Sequence, residues 1–295
     1  MSTFNKRVLK PEHIPRHLWD PDHDDHGQLG LLCLPPSLVA AHRTIVSHDS
    51  VLSAIPLRSA NESPVGGAGD VETRHHFVQA FDGSCARAQL ALIDPKNEVI
   101  FASNRLVKSL SGNSMVFTDA PCGAGAAFLA VLTTLAELRK HNILPREPLD
   151  VRLIGADIST LAKVFAARML DEVRAALEDQ AIFVDASFSS WDVLNQYSNM
   201  NVIREITLAH QERNQKLLIV ANFTGFLIKD GKYNTAEPQL KELFRYCSMP
   251  GGSALWIEPK SKHAVGPKTG LFARVKRFFR EHLPIFGSVR SEERR

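Results

Sequence analysis

The chain has 295 residues, 44% hydrophobic and 23% charged, with a formal net charge of +3. That balance excludes low-complexity and collagen-like chains and leaves room for one large domain, or a core domain with an extension. No run approaches the roughly 18 apolar residues of a membrane span. The first residues carry no apolar segment after their charges. Cys33, Cys85, Cys122 and Cys247 form no CxxC pair, so neither a disulfide framework nor a cysteine zinc site is expected, and a cytoplasmic location fits.

Residues 1–71 read as an irregular N-terminal extension. Pro11, Pro15, Pro21, Pro35, Pro36, Pro56 and Pro64 break any long period, leaving short helical or extended pieces. The acids and histidines of Asp20–His26 have the ligand chemistry for a metal, but no helical or hairpin frame is evident to orient them, so a polar loop is expected. Residues 72–112 read as a helix-and-hairpin cap. Phe77, Val78, Phe81 and Ala86 recur at helical spacing over 72–91. The runs Leu90–Ile93 and Val99–Ala102 then flank the turn residues Asp94–Asn97, which predicts a β-hairpin, and a short helix follows over 104–110.

From 113 to 260 the pattern alternates. Strands are expected at 115–119, 151–157, 181–186, 216–223 and 253–258, with helices at about 124–141, 160–178, 199–213 and 236–247. Such alternation builds a doubly wound, mostly parallel Rossmann-like α/β sheet covered on both faces. The nearly unbroken apolar run Leu217–Ala221 suits a strand buried on both sides. Residues 261–295 form a basic C-terminal helix and tail, with Arg274, Lys276, Arg277 and Arg280 in one stretch. Such a stretch is either a solvated helix face or a contact for nucleic acid.

Open α/β sheets bind ligands outside the carboxyl ends of their strands. In the first strand an apolar run ends in Asp119, turns through Ala120, Gly123 and Gly125, and opens into an Ala/Leu-rich helix. Glycines at such a turn let backbone N–H groups approach a ligand. Asp157 ends the second strand, where a carboxylate can accept both hydroxyls of a ribose or cap the following helix. Asp192 follows the third strand, with Val193 beside it, and either accepts from an adenine amino group or forms a local turn. Asn222 ends the fourth strand and either orients a substrate donor or satisfies backbone groups.

These residues, in this order, resemble the class I (Rossmann-like) S-adenosylmethionine-dependent methyltransferases over roughly 113–260. Asp119 through Gly125 matches the family's glycine-rich first motif. Asp157 matches its second-strand acid and Asp192 its adenine-side acid, with Asp185 less favoured. The resemblance implies S-adenosylmethionine as cofactor. Asp119 and the Gly123–Gly125 backbone would hold its methionine part, Asp157 its ribose, and Ile158 and Asp192 its adenine. The family's usual last two strands find little room after the fifth strand, so the sheet is expected to lack them or to be completed from the N-terminal hairpin.

Two rival readings share the first motif. Asp119-Ala120-Pro121-Cys122 also resembles the catalytic-cysteine motif of RNA 5-methylcytosine methyltransferases, but no glycine-rich cofactor motif lies upstream of it. Cys122 is therefore read as a loop residue near the cofactor. A nicotinamide dinucleotide site would need a third glycine, where this chain has Phe128, and an acid nearer than Asp157. The adenine-N6 and cytosine-N4 methyltransferase motif is absent, with Asn222-Phe223-Thr224 in its place. No catalytic residue is assigned. The methyl acceptor is expected to be RNA or other nucleic acid, with a small molecule or protein as the second class. An inactive domain acting as a structural or regulatory partner is the other reading.

Overall fold

Two layers of helices enclose a parallel sheet that the chain reaches only at Ser114. The computed structural model describes residues 7–25, 28–55, 69–228, 231–249 and 251–258. In chain order these form an antiparallel hairpin of β1 (Trp19–Asp25) and β2 (Gln28–Leu32), then α1 (Pro36–His48), α2 (Ser50–Ser53), α3 (Asp70–Gln79), α4 (Phe81–Ile93) and α5 (Ile100–Ser109). The alternating part follows: β3 (Ser114–Asp119), α6 (Ala126–Lys140), β4 (Leu149–Asp157), α7 (Thr160–Glu178), β5 (Ile182–Ser190), α8 (Gln196–His210), β6 (Gln215–Ala221), α9 (Thr224–Ile228), α10 (Tyr233–Cys247) and β7 (Gly252–Ile257).

The five later strands stand in the order β5-β4-β3-β6-β7, every neighbouring pair parallel. The chain winds outward from β3 to β5, returns to the centre at β6 and winds the other way. This is the Rossmann-like, doubly wound α/β sheet that the alternation predicts. Its winding reverses between β3 and β6, the place where such sheets bind ligands.

Period-two alternation divides the core. Met115 and Phe117 of β3 point into one buried cluster with α1 and α4–α7. Val116 points into a second cluster with α8, α9 and α10, joined by Leu218 and Val220 of β6. The described residues of the N-terminal extension form short helical and extended pieces. Leu9, Leu18, Leu38, Ile45 and Leu52 are buried in the first cluster, so this extension forms part of the core. Phe77 of α3 stacks on Phe165 of α7 at 4.5 Å and lies 4.8 Å from His42 of α1. Such aromatic pairs contribute about 0.5–1.5 kcal/mol each beyond burial.

Two local expectations are overturned. Asp20–Asp25 belong to β1 and not to a polar loop. Pro21 is tolerated because a two-stranded ribbon leaves edges without ladder partners. The hairpin expected at 90–102 is two helices. Leu90–Ile93 is the last turn of α4, and Val99 leads into α5. Asp94 takes the left-handed conformation at the end of α4. Its Oδ1 accepts from Glu98 N–H (2.7 Å) and Val99 N–H (3.1 Å), turning the chain into the next helix. Apolar runs of four residues fit a strand or a buried helical turn equally well, and the side-chain cap decided between them. The basic stretch 261–295 lies outside the described residues.

Candidate functional site

The carboxyl ends of β3 and β4 bring the predicted residues together. Gly123 N–H donates to Asp157 Oδ2 at 2.9 Å, so the second-strand acid lies directly against the glycine turn of the first. Cys122 N–H donates to Ala156 O, and Ala120 N–H to Ile219 O of β6. The turn is thus tied to both strands that flank β3. Gly123 and Gly125 have φ of +51° and +88°, the region that glycine enters without a Cβ clash. The two glycines have different surroundings. A Cβ at Gly125 would stand 2.7 Å from the buried Phe128 ring, whereas one at Gly123 would meet nothing within 4 Å among the described residues. Gly125 is required by packing, and Gly123 faces open space.

Asp157 is 7% exposed, and burial raises its pKa above the ordinary carboxylate range. Backbone bonds and Lys163 oppose that rise. Its Oδ1 accepts from Ser159 N–H at 2.7 Å. An ionised carboxylate offers about four acceptor sites, so the Gly123 and Ser159 bonds leave capacity for a ligand hydroxyl. Ser159 in turn caps α7 by accepting from Ala162 N–H. Ile158 between them is 43% exposed, an aliphatic surface at the rim.

Asp119 has no exposed surface. Its Oδ2 accepts from Phe128 N–H in the first turn of α6 at 3.3 Å, and its Oδ1 has no partner among the described residues. Burial, with a smaller contribution from Asp157, raises its pKa well above the usual carboxylate range. An unpartnered buried carboxylate oxygen is costly, and a cationic group beside it would offset that cost. The sign follows from the raised value: the group's contribution to stability is fully present below about pH 4, its ordinary pKa, and is lost as pH rises through the folded value. Asp119→Asn cannot ionise. Its melting temperature is therefore expected to gain on the wild type as pH rises above about 4. Melts at matched pH would check this, and a difference that stays flat with pH would refute the assignment.

Cys122 is buried, and burial, reinforced by Asp157 and Asp119, pushes its thiol well above the usual range. A protonated, enclosed thiol is a poor nucleophile, in keeping with its reading as a loop residue. Asp192 builds the turn into α8: its Oδ1 accepts from Leu194 N–H, and its own N–H is held by Ser198 Oγ, each at 2.9 Å. Trp191 N–H donates to Asp157 O, which holds this turn beside the second-strand tip. Ala120 and Val193 have their side chains in the cluster beneath α8 and α10. Any ligand contact they make is through the backbone. Asp185 pairs with Arg152 at 2.8 Å in the middle of the β4–β5 pair, away from the strand tips.

Sequence reasoning missed the groups that the N-terminal helices contribute. Thr73 of α3 shares a hydrogen bond with Ser159 at 3.0 Å. Arg87 of α4 donates through Nε to Asn222 Oδ1 at 2.8 Å. These contacts lay α3 and α4 across the carboxyl edge. Asn222 sits at φ +56°, where asparagine is tolerated, and its side chain positions Arg87. Burial lowers the pKa of His76, and the charge on Arg87 adds to the effect, which favours a neutral imidazole. The only hint of Arg87 in the sequence is a cation beside an apolar helix stripe. Glu258 at the end of β7 is structural: its Oε1 accepts from Phe223 N–H, Thr224 N–H and Trp256 Nε1–H at 2.7–2.8 Å. The cavity of about 370 Å³ bordered by Ser114, Asp150, Asp185 and Arg213 opens at the opposite, amino edge of the sheet.

No protein-family model matches this chain, and no curated protein matches it.

Proposed function

We propose that this chain is an S-adenosylmethionine-dependent methyltransferase. The observation that carries the reading is the juxtaposition at the carboxyl ends of β3 and β4: the Asp157 carboxylate against the Gly123 amide, with the buried Asp119 behind the same turn. Three features suit this cofactor. The open side of Gly123 leaves room for a ligand at the turn. The unpartnered Asp119 Oδ1 is an acceptor that an ammonium would satisfy, directly or through one water. The exposed Ile158 offers an apolar face beside the ribose-binding acid. Asp119 and the Gly123–Gly125 backbone would hold the methionine part, Asp157 the ribose, and Ile158 with the Asp192 turn the adenine. When bound, the cofactor supplies a methyl group already activated on sulfonium. What remains for the protein is alignment and, for some acceptors, removal of a proton. On the acceptor side, Arg87 and Asn222 form a hydrogen-bonded pair. Calorimetric titration with S-adenosylmethionine and, separately, with NAD tests the reading. Saturable binding of the first alone is expected, and a preference for NAD would sink it.

The acceptor we favour is RNA, on the basic stretch Arg274–Arg280. An electrostatic site weakens steeply with salt, so generic RNA should be lost between low and physiological ionic strength. A flat salt response would remove this support.

The second reading is a domain that holds the cofactor, or none, and serves as a binding partner. What favours it is the dense internal bonding of the site: the Asp157 carboxylate already accepts two backbone amides and Asp192 one. Labelled-methyl transfer to a cell fraction would exclude it.

A further inference from the structure

A second cluster lies at the far end of α6, away from the carboxyl edge. Glu137 is 7% exposed, unusual for a carboxylate. His17 Nε2 lies 2.9 Å from its Oε2, and His141 Nε2 lies 3.8 Å from the same oxygen. The two imidazole rings have centroids 4.6 Å apart. The three ligand atoms all lie within 4.8 Å of one another. Lys140 Nζ stands 3.8 Å from the other carboxylate oxygen. We propose that His17, Glu137 and His141 bind one zinc-class divalent cation, with water in the remaining position, and that the ion fastens the N-terminal segment to the end of α6.

The geometry needs little change to accept the ion. Ligand atoms around a tetrahedral centre with bonds of about 2.0–2.2 Å stand about 3.3 Å apart. The present separations bracket that value, so small side-chain rotations close the site. Two imidazoles and one carboxylate suit zinc and its neighbours, whereas magnesium and calcium prefer all-oxygen sets. Three protein ligands leave one position open. The side chains of His17 and His141, 35% and 44% exposed, leave it in reach of solvent.

All three ligands sit on fixed backbone. Glu137 and His141 are four residues apart at the end of α6, so they share a face. His141 N–H donates to Glu137 O, and Ile143 N–H returns to Leu138 O to lock the exit. His17 is held by its neighbour Leu18, fully buried, whose carbonyl accepts from Cys33 N–H. Glu137 lies eleven residues beyond the first residue of α6, roughly 16 Å along the helix from the glycine turn. The ion would therefore act on the N-terminal layer, independently of the cofactor site.

Metal-stripped full-length protein titrated with Zn²⁺ in a non-coordinating buffer tests this. One saturable equivalent is expected, and the ion should raise the melting temperature, because it binds the folded state. His17→Gln and His141→Gln should each weaken binding by at least roughly 10–100-fold, the loss that even supporting residues cause at metal sites. The double variant should lose both the binding and the thermal shift. No saturable equivalent in the wild type, or undiminished binding in the double variant, overturns the proposal. X-ray absorption of the zinc-loaded wild type needs no variant: nitrogen and oxygen with an imidazole signature supports the site, and sulfur or an all-oxygen shell refutes it.

Discussion

Replacing Asp157 with alanine is expected to weaken S-adenosylmethionine binding by roughly 10–150-fold, which is the loss of a charge-assisted hydrogen bond of about 1.5–3 kcal/mol. The same change strands two backbone donors. Gly123 N–H and Ser159 N–H both lose the acceptor that holds the glycine turn against the start of α7. The Ser159 donor is buried, and a buried donor left without a partner costs about 1–3 kcal/mol, so stability should fall as well. Asp157→Asn separates the two effects. Its carbonyl oxygen still accepts a backbone amide, but its NH₂ group cannot accept from a ribose hydroxyl. Its melting temperature should lie nearer the wild type while its affinity stays low. Calorimetric dissociation constants and melts on the three proteins decide the matter. Wild-type affinity in Asp157→Asn would show that this carboxylate is purely structural.

The second large effect comes from the two glycines of the same turn, which should respond oppositely to alanine. Gly125→Ala places a Cβ 2.7 Å from the buried Phe128 ring and 3.0 Å from Leu129, at a φ of +88°. Left-handed strain of about 1–2 kcal/mol adds to overpacking of about 1–3 kcal/mol, a large part of a total stability of about 5–15 kcal/mol. A fall in melting temperature of roughly 10 °C is expected. Gly123→Ala carries only the backbone strain, because its Cβ enters open space. It should fold nearly as well as the wild type and bind the cofactor poorly, since the new methyl occupies the room left for the ligand. If Gly123→Ala bound normally, the ligand would not approach the turn from that side.

The alternating half of the chain was legible because each signal there agrees with the next. Leu217–Ala221 suits a strand buried on both faces, and it falls where the strand–helix alternation calls for one, as β6. The glycine turn was legible for a similar reason: Gly123 and Gly125 both turn out to need positive φ. The N-terminal region was harder because local preference and tertiary context disagree. β1 reads Trp-Asp-Pro-Asp-His-Asp-Asp, a composition that disfavours strands, yet it pairs with β2. The Asp94 cap that turned an expected hairpin into two helices works through its side chain, which no periodicity reports. Arg87 and Asn222 are 135 residues apart, and only the folded sheet brings them together. The same holds for His17 and Glu137. Asp192 left two readings open in the sequence, an adenine-side acid and a turn-forming Asp, and its Oδ1 accepts from Leu194 N–H in a turn.

A crystal structure of the chain grown with S-adenosylhomocysteine decides whether this crevice holds the cofactor. The ribose hydroxyls are expected on Asp157, the amino acid end at the Gly123 turn with its ammonium toward Asp119, and the adenine along Ile158. A ligand bound elsewhere, or a crevice filled by the chain's own side chains with the ligand excluded, would contradict this placement.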